Sequence, residues 1–213
     1  MSQINVGKME GFMVCVEGID GAGKHTQVEM LSNALSKKGV VAKVYTYPDY
    51  NSDYGKMIDR YLHGHLKLNV DEQILLHLAD KVKDNIQVKK DIDSGAVVIM
   101  DRYFYSTIAY QCAAGFDYAR AKKLVDLMNT NVPSVVFYID IPIDLVAARK
   151  AKQKGYTDRN EGDMKYQRDV KEVYDRMIGE KYATTWIKVD GTLKIDDVHA
   201  KIMSELKRSG LEA

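Results

Sequence analysis

Apolar residues gather in five runs along the chain, at 12–17, 40–47, 96–101, 134–141 and 185–189, and most intervals between them are 30 or more residues. Intervals of that length accommodate crossover helices. Runs such as Ala96-Val97-Val98-Ile99-Met100 are continuous instead of alternating, as expected for parallel strands covered on both faces. Between them, helical patterns are predicted at 24–37, 71–93, 118–129, 143–153, 163–179 and 195–208. In the last, Ile195, Val198, Ile202 and Leu206 share one face and are expected to pack on a sheet. Met128, Met164, Met177 and Met203 are read as core filler. The pattern predicts an α/β fold: a five-stranded parallel sheet flanked by helices, with ligands at the carboxyl ends of the strands.

Chemistry enters at the end of the first run. Residues 18–26 read Gly18-Ile19-Asp20-Gly21-Ala22-Gly23-Lys24-His25-Thr26 and come directly after the strand Phe12-Met13-Val14-Cys15-Val16 and Glu17. This is the G-x-x-x-x-G-K-[S/T] pattern with its last position changed to His25. Its glycines let backbone N–H groups curl around an anion, and Lys24 reaches the β/γ-phosphates of a nucleotide. Strand, glycine loop and helix start is the order an anion site requires. A turn with no ligand is the plainer reading of Gly21 and Gly23, and the flanking strand and helix argue against it. The hydroxyl that His25 replaces normally binds Mg²⁺.

A second signature closes the third run: Asp101-Arg102-Tyr103-Phe104-Tyr105-Ser106-Thr107-Ile108-Ala109-Tyr110-Gln111. Asp101 falls at the tip of a central strand, near where a metal and its waters sit beside a phosphate loop. Arg102 offers a planar fork suited to a second phosphate. A strand-end salt bridge between Asp101 and Arg102 is the alternative.

Size and charge bound the possibilities. The chain has 213 residues, enough for one domain over 1–213, with 1–9 a frayed polar extension. Its 31 basic and 30 acidic residues leave a formal net charge of +1, which argues against sequence-independent nucleic-acid binding. No apolar run approaches the ~20 residues of a membrane span, and the first eight residues lack the apolar core of a signal peptide. The two widely separated cysteines, Cys15 and Cys112, make no disulfide framework or metal spacing, so a cytoplasmic location is expected.

With both signatures in place, the chain resembles the thymidylate kinases, P-loop enzymes that phosphorylate dTMP. The resemblance rests on Glu17 to Lys24, on Asp101-Arg102-Tyr103 with Ser106, Ala109, Tyr110 and Gln111, on Tyr47-Pro48, and on Asp158-Arg159 with Glu161. It runs from about 11 to 190. It implies ATP as donor, Mg²⁺, dTMP as acceptor and a homodimer. Lys24 would hold the donor phosphates, Arg102 the acceptor phosphate, Asp20 would sit between them, and Asp101 would hold Mg²⁺ through water. The basic stretch around 149–161, with Arg149, Lys152, Lys154 and Arg159 and a possible hinge at Gly155, resembles the family's short lid. A solvated basic helix end is its plainer reading.

Four positions depart from the family pattern. His25 removes the Mg²⁺ hydroxyl; imidazole suits softer metals, so water or Thr26 would fill that place. Tyr50 stands where an arginine is common, and Lys81 keeps charge but not the bidentate fork. His77 occupies the place of the aromatic that stacks on thymine. Tyr47, Ser106, Tyr110 and Gln111 complete the expected acceptor site, and a weakened grip on dTMP is the expected result. Two rivals remain open: a deoxynucleoside kinase using Asp49 as base, and a nucleotide-binding regulator without catalysis.

Overall fold

The computed structural model describes residues 11–152 and 163–211. The elements run β1 (Phe12–Glu17), α1 (Lys24–Lys37), β2 (Ala42–Thr46), α2 (Asp53–Leu62), α3 (Val70–Val82), α4 (Asn85–Asp93) and β3 (Val97–Asp101). They continue with α5 (Phe104–Ala113), α6 (Tyr118–Leu127), β4 (Val135–Asp140), α7 (Ile143–Lys152), α8 (Met164–Gly179), β5 (Thr185–Asp190) and α9 (Ile195–Arg208). The strands form one parallel sheet in the order β2-β3-β1-β4-β5. The continuous apolar runs become the three central strands. Every residue of β1 and β3 is buried, as is all of β4 except Asp140. Edge strands β2 and β5 are partly exposed, with Val44 at 43%.

Two helices, α2 and α5, lie outside the predicted helical patterns, and one expected helix is two. Seven of the ten residues of α5 are buried, so it carries no amphipathic stripe for a periodicity argument to detect. Helix α2 is short; its N-cap Ser52 accepts from the Gly55 N–H. The stretch 71–93 breaks at Lys83-Asp84 into α3 and α4 without glycine or proline. There the Lys83 ammonium meets Asp84 at 2.6 Å and Asp80 at 3.3 Å on its own segment, and Asp49 from the loop after β2 at 3.1 Å. On α9 the inward face is Val198, Ile202 and Leu206, whereas Ile195 in the first turn is 58% exposed. Of the four methionines, Met177 is buried in the core and Met164 and Met203 pack against it. Met128 is half-buried and outside the core.

All strands point the same way, so their carboxyl ends lie along one edge. Four of the five end on an acid: Glu17, Asp101, Asp140 and Asp190. Gly18 turns the chain out of β1 with φ +153°, and a Cβ there would lie 2.8 Å from the Ile139 carbonyl oxygen in β4. Backbone atoms on a central strand cannot yield easily. Gly18→Ala is therefore expected to destabilise the fold by roughly 1–3 kcal/mol, measured by urea unfolding; a variant as stable as the parent would show that β1 and β4 separate more readily than this packing implies.

Candidate active site

The loop after β1 opens the site. Gly21 and Gly23 have φ of +73° and +93°, which turns the chain into α1. Gly23 caps α1 from the left-handed region without a side-chain cap, leaving the helix start to the loop's own N–H groups. Lys24 folds back over this loop and its Nζ donates to the Ile19 carbonyl at 2.8 Å. Burial pushes its ammonium down to about 8, with Arg102 adding to the effect. An anion in the loop would favour the charged form.

Asp20 and Arg102 meet across the mouth of this loop. One guanidinium nitrogen of Arg102 pairs with Asp20 Oδ1. The other faces Tyr110 Oη at 3.3 Å, the Gly18 carbonyl at 3.4 Å and Ser106 Oγ at 3.5 Å. Arg102 has φ +67°, a backbone region that costs a side-chain-bearing residue energy. The surroundings hold it there: its N–H donates to the Val16 carbonyl in β1 at 3.1 Å, and the next N–H, of Tyr103, donates to Glu17 Oε1 at 2.7 Å. Glu17 also accepts from the Ser106 N–H at 3.3 Å, Ser106 Oγ at 2.5 Å and Tyr174 Oη at 2.7 Å. Ser106, expected from the sequence to meet the acceptor, sets its hydroxyl against Glu17 and Tyr174 while lining the cleft beside Arg102.

Asp101 does not pair with its neighbour. Its Oδ2 lies 3.2 Å from His25 Nδ1, and His25 Nε2 lies 3.3 Å from Glu29. The imidazole thus bridges two carboxylates, with 71% of its side chain exposed while Asp101 is 7% exposed. Thr26, the other residue considered for the missing hydroxyl, is exposed on α1. Among the described residues no group of three or more His, Cys, Asp or Glu is arranged to hold a metal by itself.

Beside Arg102 lies a cleft walled by Asp20, Tyr47, Pro48, Tyr50, Leu62 and His77 on one side. Lys81, Arg102, Ser106, Thr107, Tyr110 and Gln111 complete it. It collects every residue that the sequence assigns to the acceptor. Lys81, 3% exposed, donates to the His77 carbonyl at 3.3 Å, and burial pushes its ammonium down to about 8. Burial, then Lys81 and Arg102, push His77 down to about 3, so its ring is neutral. Tyr50 reaches the cleft while remaining half exposed. Two buried polar atoms on α5, Thr107 Oγ1 and Gln111 Oε1, have no hydrogen-bond partner among the described residues. Thr107 is not singled out by the sequence reasoning, although it stands inside the second signature. Asp49, the base in one rival reading, is not part of this wall, and its carboxylate faces Lys83.

Arg149 in α7 donates to the Gly21 carbonyl at 2.9 Å and the Gly191 carbonyl at 2.8 Å, tying the loop to the turn after β5. Lys152 is the last residue of α7, and its side chain is outside the described part, as are Lys154, Gly155, Asp158, Arg159 and Glu161. Gln167, equally unmarked in the sequence, is fully buried on α8 against Asp20. No local pattern identifies a glutamine as the partner of an aspartate so distant along the chain.

Comparison with known proteins places this geometry in a lineage. The fold is similar to the solved thymidylate kinase of Candida albicans, with a TM-score of 0.76 at 24% identity over 94% of this chain and 93% of that one. The chain is 31% identical to a probable thymidylate kinase from Thermococcus gammatolerans over 91% of this chain and 94% of the relative. It is 27% identical to the thymidylate kinase of Plasmodium falciparum, over 96% and 94% of the two chains. The thymidylate kinase family model matches residues 16–202. With that match spanning most of its length, the chain belongs to the thymidylate kinase family.

Proposed function

We propose that the protein transfers the γ-phosphoryl group of ATP to dTMP, giving dTDP and ADP. The observation that carries this reading is the cleft beside the phosphate loop, with Arg102 and Asp20 at its mouth and Tyr47, His77, Lys81 and Tyr110 among its walls. Its mixed aromatic and polar lining suits a pyrimidine nucleotide. Arg102 and Lys24 approach the acceptor and donor phosphates from opposite sides, and Asp20 keeps the guanidinium oriented. An acceptor phosphate is already ionised near neutral pH and needs no general base, so catalysis rests on positioning and charge neutralisation. The wall of the cleft fits this: His77 is neutral, and Asp20 is paired with Arg102. A sugar-hydroxyl acceptor would need a free base, which favours the monophosphate over the nucleoside.

Mg²⁺ fits the donor side through Asp101, a strand-end carboxylate flanked by His25 in place of a hydroxyl. Mg²⁺ keeps several waters and takes few protein ligands, so it would be shared between Asp101, water and phosphate and would neutralise donor charge. Arg149, Lys152 and Lys154 remain the proposed lid cations. One domain over 1–213, a cytoplasmic setting and a homodimer complete the reading. Exposed Tyr54, Met57 and Leu75 on α2 and α3 supply apolar surface for a dimer contact.

The direct test is turnover of ATP with dTMP against thymidine, dUMP, UMP, dCMP and dGMP. Preferred turnover of dTMP is expected; turnover of thymidine but not dTMP would overturn the reading. In the same assay His25→Ser, which frees Asp101 and supplies a hydroxyl, is expected to lower the KM for Mg·ATP roughly three- to tenfold without reordering the acceptors. Loss of activity in that variant would give His25 a positive role. The lowered Lys81 value sets a pH dependence. Lysine binds acceptor while charged, so the KM for dTMP should rise as pH passes about 8, whereas Lys81→Arg, charged throughout, should flatten that rise. Identical profiles would remove Lys81 from acceptor binding.

A further inference from the structure

Gln167 sits in the first turn of α8, 0% exposed, and grips Asp20 at two points. Its Nε2 donates to Asp20 Oδ2 at 2.8 Å, and its Oε1 accepts from the Asp20 backbone N–H at 3.2 Å. The two contacts have opposite polarity, which fixes the amide: a flip would set oxygen against carboxylate and NH₂ against N–H. The remaining Asp20 oxygen, Oδ1, faces Arg102. One carboxylate is therefore held on one side by a neutral amide and on the other by a guanidinium.

That arrangement matters because the other contacts of the Arg102 guanidinium, at 3.3–3.5 Å, are long. Asp20 supplies its tight contact. The direction in which the guanidinium points is thus set by the plane of the Asp20 carboxylate, which Gln167 grips from α8 and the Tyr110 hydroxyl meets from α5. We infer that Gln167 is a positioning residue for phosphoryl transfer: it fixes the rotation of the Asp20 carboxylate and, through it, the aim of Arg102 into the acceptor cleft. The inference rests on Asp20 and Arg102 serving the transfer as proposed above. Charge does not change when Gln167 is replaced by an apolar residue of similar size; orientation does. The effect belongs mainly in kcat, because ATP keeps its contact with Lys24 and dTMP its contacts with the rest of the cleft, while the aim of Arg102 at the acceptor phosphate is lost.

The test is a double-mutant cycle in the full chain, with Gln167→Leu, Asp20→Ala and the pair, assayed with ATP, Mg²⁺ and dTMP. Gln167→Leu is expected to lower kcat about tenfold, with either KM changing less than about threefold. In the Asp20→Ala background the same change should cost less than about twofold, because the residue acts through Asp20. An equal loss in both backgrounds would reduce Gln167 to core packing and overturn the inference, as would no loss in either. Gln167→Met, whose unbranched side chain adapts to irregular space, serves the same cycle if the leucine variant does not fold. A readout without turnover uses the Arg102 guanidinium ¹⁵N resonances. They should shift in the Gln167 variant in the direction seen for Asp20→Ala; unchanged resonances overturn the inference. Wild-type protein inactive toward dTMP would sink the proposed function instead, and the resonance comparison would still decide the role of Gln167.

Discussion

The site depends on one buried carboxylate. Glu17 ends β1 with no exposure to solvent, yet it lies among donors: the Tyr103 and Ser106 N–H groups, the Ser106 hydroxyl and the Tyr174 hydroxyl. Tyr103 is the N-cap of α5 and makes no cap of its own. The N–H groups of the N-cap and of the third helical residue are the two that a capping box would satisfy from within the helix. Here a residue 86 positions away does so instead. A carboxylate at a helix start is also favoured by the aligned peptide dipoles. Burying the charge is tolerable because its oxygens are met by hydrogen bonds.

That cap constrains the residues leading into the helix. Between the end of β3 and the capped start of α5 only Arg102 and Tyr103 intervene, and Arg102 takes up a left-handed turn. The turn throws its guanidinium back over the phosphate loop, where Asp20 receives it. Tyr174 brings α8 to the same carboxylate, and seven residues earlier on that helix Gln167 reaches Asp20. β1, α5 and α8 thus converge on the Asp20–Arg102 pair. The departures from the family pattern lie around this frame and leave it intact. His25 bridges Asp101 and Glu29 on the donor side, and Lys81 and His77 line the acceptor cleft.

The features legible in the sequence are local ones. The phosphate loop and the Asp101-Arg102 signature are contiguous, and the three central strands are continuous apolar runs because helices cover both faces. Tyr47, Tyr50, His77, Lys81, Tyr110 and Gln111, which the resemblance assigns to the acceptor, line one cleft. The illegible features depend on distant partners. Helix α5 is buried nearly all round and shows no stripe, and the α3–α4 break coincides with the ion pair of Lys83 to Asp49 in the loop after β2. Ser106 reads as an acceptor-site hydroxyl, and its bond to Glu17, 89 positions away, has no local signal. Thr107 and Gln167 gain meaning only from the cleft and from Asp20.

The most direct test of this account is amide hydrogen exchange at Tyr103 and Ser106 in a Glu17→Leu variant, compared with the unaltered protein. Both amides donate to the same carboxylate oxygen, and leucine fills much of the space while removing it. The expected result is faster exchange at those two amides by roughly ten- to a hundredfold, equivalent to about 1–3 kcal/mol, with β3 amides such as Ile99 slowed or quickened far less. Equal protection at Tyr103 and Ser106 in both proteins would contradict the claim that Glu17 caps α5 and sets the site.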